Sequence, residues 1–253
     1  MLSYLFTDLS SDRLEDMNAS RTARERARSE LTQEIKEAAR RQLSVSGAQA
    51  LSLRAVAREL GMVSSALYRY FASRDELLTA LIIDAYEALA AEIEAADRAA
   101  LSADFRGRWE AACRATRAWA TAHPHEYALL YGSPVPGYHA PETTIASGSR
   151  VPIALMTIVR DAHEAGALTL RDEEPLPPTL TDQAVRITEF LGSDIPNDVV
   201  IRSVTAWTQL FGMITFELFG QYANSLDPAD TFFDYSVDRM ADLIGLPETD
   251  QVE

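Results

Sequence analysis

The stretch 52–78, SLRAVARELGMVSSALYRYFASRDELL, constrains this chain more than any other. Ser52 stands where a helix cap is expected, ahead of an apolar set at Leu53, Val56, Ala57 and Leu60. Gly61 follows and ends that helix, because glycine takes the positive φ of a helix C-terminus without steric cost. A second short helix puts Ala66, Leu67 and Phe71 on one side and leaves Ser64, Ser65, Tyr68 and Arg69 for other contacts. Ser73 opens a third helix with Asp75 and Glu76 in its first turn, where the helix dipole favours negative charge. Two short helices joined by a tight glycine turn form a helix-turn-helix, whose second helix enters the DNA major groove.

The charge pattern fits that motif once it is divided. The 253 residues carry a net charge of −15, which opposes DNA binding if spread evenly. Residues 1–19 hold one base and four acids, residues 20–74 hold 11 bases and five acids, and residues 75–253 hold 11 bases and 29 acids. Positive charge is therefore concentrated around the helix-turn-helix, the electrostatic footprint of a DNA-contacting module. Arginine outnumbers lysine 22 to 1, which reads as the codon bias of a high-GC genome.

The rest of the chain is helical in pattern, so the expected fold class is all-α. Residues 1–19 show little periodicity and read as a flexible extension, with Met17 as a second possible start. Arg21, Arg24 and Arg28 share one side of a helix and could lie along a DNA backbone or in a minor groove. Helices are expected over about 28–45 and 74–96, then over 105–120, after His123-Pro124, over 142–166, 181–191, 196–224 and 228–244. The loop 132–138 is too rich in Pro and Gly to be helical, and 167–179 reads as an exposed acidic loop. The best candidate for a membrane span, Val199 to Phe219, contains Arg202 and Glu217 and reads as a buried helix of a cytoplasmic protein. The single cysteine, Cys113, allows no internal disulfide and fits a reducing compartment.

Enzymatic chemistry has little support. His123, His125, His139 and His163 lack the spacing of a zinc helix, and Cys113 sits among apolar neighbours. There is no phosphate-cradling glycine loop and no nucleophile elbow. No metal, cofactor or catalytic residue is expected.

The helix-turn-helix stretch resembles the DNA-binding domain of the TetR family of bacterial regulators. The resemblance is carried by Leu51-Ser52-Leu53-Arg54-x-Val56-Ala57, Gly61, Leu67-Tyr68-x-Tyr70-Phe71 and Ser73-Arg74-x-x-Leu77-Leu78. Val63 departs from the family, which often has a capping Ser there. A second resemblance, to the WHG type of TetR C-terminal domain, lies in Tyr127-x-Leu129-x-Tyr131-Gly132-Ser133-Pro134-x-Pro136-Gly137-Tyr138-x-Ala140-Pro141 and Trp207-x-x-x-Phe211-Gly212-x-x-x-x-Glu217. Phe211 stands where that type usually has His.

The resemblance implies a DNA-binding domain over 20–74 and a helical ligand-binding and dimerisation domain over 75–253. It implies a homodimer that represses from a palindromic operator and is released by a small-molecule effector. The alternative is an architectural DNA-binding protein with no natural effector. The implied DNA contacts are Ser52, Arg54, Ser64, Ser65, Tyr68, Arg69, Tyr70 and Arg74. The effector pocket is expected among Trp109, Trp119, Tyr127, Tyr131, Met156, Trp207, Phe211 and Glu217. Glu217, a carboxylate in an apolar helix, needs a ligand cation or an arginine if it is buried. The dimer is expected through the last two long helices, over 196–224 and 228–244. There the stripe Val200, Val204, Trp207, Phe211, Ile214 and Leu218 and a second face of Ser203, Ala206, Leu210, Met213 and Gly220 offer apolar surface.

Overall fold

The computed structural model describes residues 8–169 and 175–248, with side chains from residue 24 onward. Among these residues the regular structure is helical throughout, with no strand. The chain divides into two compact units, Met1–Leu81 and Ile82–Glu253. The division falls seven residues past the sequence estimate of 74/75, because α4, Arg74–Ala99, runs across it without a break.

In the first unit, α1 spans Asp8–Ser46. It begins about 20 residues earlier than the periodicity indicates, so residues 8–19 of the expected extension have helical backbone. Residues 1–7 lie outside the described residues. Gly47 ends α1, and a short 3-10 turn at Ala48–Ala50 leads to α2, Leu53–Glu59, and α3, Ser64–Leu67. Ile35, Ala38, Ala39 and Leu43 of α1 are buried, as are Leu53, Val56, Ala57, Leu67 and Phe71 and Leu77, Leu78 and Leu81 of α4, with α1 packed on α2 and α2 on α3. Alanines at 38 and 39 carry little side chain, which allows close approach of the neighbouring helices.

The link between α2 and α3 depends on backbone geometry. Gly61 has φ +65°. The Met62 N–H donates to the Ala57 carbonyl at 2.8 Å and the Gly61 N–H to that of Arg58 at 3.2 Å. These are the paired bonds of a glycine-terminated helix end. Ser52 has the extended backbone of a cap, but its hydroxyl makes no capping bond. Val63 holds the cap position of α3, which likewise lacks a side-chain cap. By contrast α4 starts on a reciprocal pair. The Glu76 N–H donates to Ser73 Oγ at 3.1 Å, and the Glu76 carboxylate accepts from the Ala72 N–H at 2.6 Å, a close variant of the capping box.

The second unit adds α5, Phe105–Ala122; α6, Pro124–Tyr131; α7, Ile145–Glu164; α8, Pro178–Leu191; α9, Asn197–Leu218; and α10, Asp230–Ile244. The fifth and ninth helices are central. α5 packs on α6, α7, α9 and α10, and α9 packs on α5, α7, α8 and α10. α9 is long and apolar enough to cross a membrane by length and composition alone, but half of its most apolar window is buried in this unit. It ends at Leu218, short of the expected 224, where Gly220 turns to φ +74°. Of the loop 167–179, residues 170–174 lie outside the described residues. The Thr169 N–H donates to the Gly245 carbonyl at 2.8 Å. A Cβ at Gly245 would sit 2.5 Å from the Thr169 carbonyl oxygen, so this crossing requires glycine.

Both stripes assigned to the dimer surface are largely consumed inside the chain. Val200, Phe211, Ile214, Ser203, Ala206, Leu210 and Met213 are buried, and Val204, Trp207 and Leu218 are half-buried. A helix in the middle of a unit uses two apolar faces on its own neighbours. What remains outward on α9 is a third face of Thr205, Thr208, Gln209, Gly212 and Phe216, continued by Phe219 just past its end.

Arginines on α5 reach nearly every neighbour. Arg106 pairs with Asp238 and Asp242 of α10 and donates to the Pro247 carbonyl. Arg108 bridges Asp97 of α4, at 2.6 Å, and Asp161 of α7, at 2.7 Å. Arg117 grips Glu217 of α9 through two bonds of 2.6 and 2.7 Å and also meets Asp230. Arg106→Ala removes a buried guanidinium from Asp238 and Asp242, which keep Arg239 as a partner, and should destabilise the fold by about 1–3 kcal/mol. Arg114, whose side chain is 53% exposed beside Glu110 and Asp234, should lose under about 1 kcal/mol on the same change. Urea denaturation of the two variants checks the contrast.

Candidate nucleic-acid interface and effector pocket

Around the Gly61 turn the outward side chains form a basic, hydroxyl-rich set. Arg54 and Arg58 on α2 are exposed, as are Ser65, Tyr68 and Arg69 at and after α3. Ser52, Ser64 and Tyr70 are half-buried. The Arg28 guanidinium lies 5.6 Å from the centre of the Tyr70 ring, which joins the basic segment of α1 to the helix-turn-helix by a cation–π contact. Arg41 ties α1 to Glu59 of α2 at 2.6 Å. These groups can donate to phosphate oxygens and to base edges.

Arg74, expected as a phosphate anchor, has partners within the first unit. Its Nη2 donates to the Ala48 carbonyl at 2.9 Å and to that of Gln49 at 3.4 Å, and Nη1 meets Asp75 at 3.3 Å. The guanidinium is engaged in fastening the 3-10 turn to the start of α4. The side chain of Arg21 lies outside the described residues, while Arg24 is exposed.

In the second unit an apolar cavity of about 240 Å³ opens between α5, α7, α8 and α9. Trp109, Met156 and Trp207, three of the residues named from sequence, are among those that line it. With them stand Pro152, Leu155, Val159, Ile187 and Leu191. The other aromatic candidates gather elsewhere. Tyr127, Tyr131 and Phe211 form a separate cluster with ring centres 4.5 to 6.4 Å apart, extended by Tyr86 at 6.2 Å from Tyr131. Phe211 of this cluster meets Trp207 of the cavity wall, with ring centres 6.0 Å apart. The Tyr127 hydroxyl donates to the Phe211 carbonyl at 3.0 Å and bonds Thr215 Oγ1 at 2.9 Å. Trp119 is buried and stacks on His123. Glu217 has the arginine its position requires, Arg117, and lies outside the cavity.

Residues 35–81 match a family model described as bacterial regulatory proteins, tetR family, and residues 109–240 match one described as a tetracyclin repressor-like C-terminal domain. HTH-type transcriptional regulator Rv1816 of Mycobacterium tuberculosis is 41% identical over 209 residues, covering 81% of this chain and 89% of the relative. HTH-type transcriptional regulator Mb1846 of Mycobacterium bovis matches to the same extent. The chain belongs to the TetR family. The solved structure of SCO4313 superposes with a TM-score of 0.70 at 32% identity, over 85% of this chain and 97% of that one. A protein of unknown function from Rhodococcus sp. RHA1 follows at 0.62 and 25%, over 85% and 93%. The protein is thus a DNA-binding transcriptional regulator of the TetR type, and its helix-turn-helix lies within the matched N-terminal segment.

For this TetR-family chain the sequence missed most of the cavity's aliphatic wall. Ile187 and Leu191 come from α8, whose apolar residues are spaced without distinction from core positions. Pro152 sits inside α7, where a proline removes a backbone donor; that local irregularity was the one available signal.

Two outcomes follow from these placements. Arg74→Ala removes three donated bonds, two of them to backbone carbonyls, and should lower the stability of the full chain by about 1–2 kcal/mol, read by thermal denaturation. Burial pushes the Tyr127 phenol up to about 12 and that of Tyr131 still higher. The fold therefore favours the protonated phenols. Their contribution is complete below the ordinary tyrosine value of 10.0 and falls away as pH rises toward 12. Tyr127→Phe should flatten the loss of stability across that window, measured by denaturation at stepped alkaline pH with tyrosinate absorbance as the ionisation signal.

Proposed function

We propose that this TetR-family regulator is a cytoplasmic homodimeric repressor, released from a near-palindromic operator by a small apolar effector. The observation that carries the reading is the division of labour between the units. The first presents exposed Arg54, Ser65, Tyr68 and Arg69 around the Gly61 turn, and the second encloses an apolar cavity. Ser65 and Arg69 contact base edges, Arg preferring the paired acceptors of guanine. Ser52, Ser64, Tyr68 and Tyr70 contribute to backbone and thymine contacts, and Arg54 serves either kind. Arg74 acts indirectly, by holding the 3-10 turn. No catalytic step belongs to this reading.

Dimerisation uses the outward face of α9 with α8, since Phe216 and Phe219 are exposed on the former and Val185 and Phe190 on the latter. A two-fold pair of such heads reads half-sites about one DNA turn (~34–36 Å) or a related spacing apart. The effector must bind the released state better than the DNA-bound one. Helix α4 belongs to both units. In the second it is held by Arg108 through Asp97 and by Arg150 through Glu87 and Glu94, and it is the element through which cavity occupancy is passed on.

The architectural alternative separates from this reading by half-site spacing. Tyr68→Ala, at a side chain 45% exposed, should weaken specific DNA binding about five- to thirtyfold with unchanged thermal stability. Inserting half a helical turn between half-sites should abolish specific binding. Binding indifferent to the insertion, measured by fluorescence anisotropy, would establish the architectural role instead.

A further inference from the structure

The chemistry of the cavity wall narrows what can occupy it. None of the residues lining the main cavity is charged. Its polar atoms are few and mostly engaged. Trp109 Nε1 donates to the Val237 carbonyl at 3.3 Å, and Ser203 Oγ donates to the Val199 carbonyl at 2.8 Å. Trp207 Nε1 is the exception, buried with no hydrogen-bond partner among the described residues. A buried indole N–H ordinarily has an acceptor. A smaller lobe of about 80 Å³ adjoins, sharing Ile153, Met156, Phe190 and Leu191 with the main cavity. It contributes Ser193 Oγ, again buried without a partner among the described residues, and Arg160. Arg160 already meets Asp161 at 3.1 Å and Glu164 at 3.6 Å, so its charge is compensated and does not call for an anion.

We propose that this cavity binds an uncharged, largely apolar molecule bearing a carbonyl or ether oxygen that accepts from Trp207 Nε1. The inference rests on the effector reading and gives that site its ligand class. A dry cavity of about 150 Å³ accommodates a benzene, so the cavity with its lobe suits about 10–13 non-hydrogen atoms. An alkyl aryl ketone, ester or lactone of that size fills the walls, satisfies the indole, and can place a second polar atom near Ser193. A carboxylate or an ammonium would leave water for a wall with no counter-ion, a heavy desolvation cost.

The test uses the full chain and four matched probes: valerophenone, pentylbenzene, 4-phenylbutyrate and 4-phenylbutylammonium. Dissociation constants are read from tryptophan fluorescence. The ketone should bind tightest. Pentylbenzene should be about 2–12-fold weaker for want of one hydrogen bond, and the two ions about tenfold weaker or more. Trp207→Phe should bring the ketone down to the hydrocarbon while leaving pentylbenzene unchanged. Equal binding of ketone and hydrocarbon, phenylbutyrate as tight as the ketone, or no binding of any probe overturns the proposal. The same samples are titrated against the duplex flanking the gene. Ketone binding that leaves DNA bound removes the effector reading and keeps the ligand class. DNA binding intact with no probe bound removes the ligand class alone.

Discussion

The second unit depends on guanidinium groups that α5 sends to its neighbours. A segment with 27 acids against 11 bases would repel itself if its carboxylates were left unpaired. Arg106, Arg108 and Arg117 answer that problem at three levels of one helix, reaching α10, then α4 and α7, then α9 and α10. Each reaches more than one carboxylate, and arginine's planar fork suits such sites where lysine would offer a single point charge. The near-absence of lysine, read from sequence as genomic bias, thus coincides with a structural use. The aliphatic stems of these arginines also cover apolar surface, as where Arg117 lies 4.8 Å from the centre of the Phe233 ring.

That scaffold fixes where an opening can exist. The helices α5, α7 and α9 are pinned by ion pairs around their edges and by Leu155, Ile158, Val159, Leu210 and Ile214 in the middle. The void lies on the α8 side, where Ile187 and Leu191 are only partly buried and Phe190 is 64% exposed. The first unit has the opposite economy. Its core is small and its polar ties are local, with a glycine-terminated helix end and the Arg74 clasp setting the angle between short helices. Such an arrangement holds outward side chains on a rigid base, as a surface that reads DNA requires.

Much of this was legible in the sequence, for identifiable reasons. The Gly61 turn was legible because only glycine takes that backbone conformation cheaply. The eight helices from α3 onward were legible from the spacing of their apolar residues and from punctuation by Pro and Gly. The start of α1 was not, because residues 8–19 lack an apolar stripe. The role of Ser52 as a hydroxyl cap was misread, because sequence gives a side chain's position without its partners, and the bonds of the Arg74 guanidinium to the Ala48 and Gln49 carbonyls were hidden for the same reason. For the same reason the aromatic candidates were treated as one pocket. Trp109, Met156 and Trp207 share a wall, whereas Tyr127, Tyr131 and Phe211 pack on each other and Glu217 belongs to Arg117. The two faces of α9 looked available for a partner because periodicity cannot distinguish neighbours in the same chain from those in another.

The proposed function turns on the basic first unit reading one DNA sequence. A titration of the purified full chain against the duplex flanking its gene, beside a scrambled duplex at the same fixed salt, tests it most directly, since phosphate contacts alone make affinity salt-dependent. The account predicts binding to one palindromic stretch about a thousandfold tighter than to the scrambled control or more, roughly the low end of specific recognition. Equal and weak binding to both duplexes, across palindromic stretches drawn from the neighbouring genes, would contradict it.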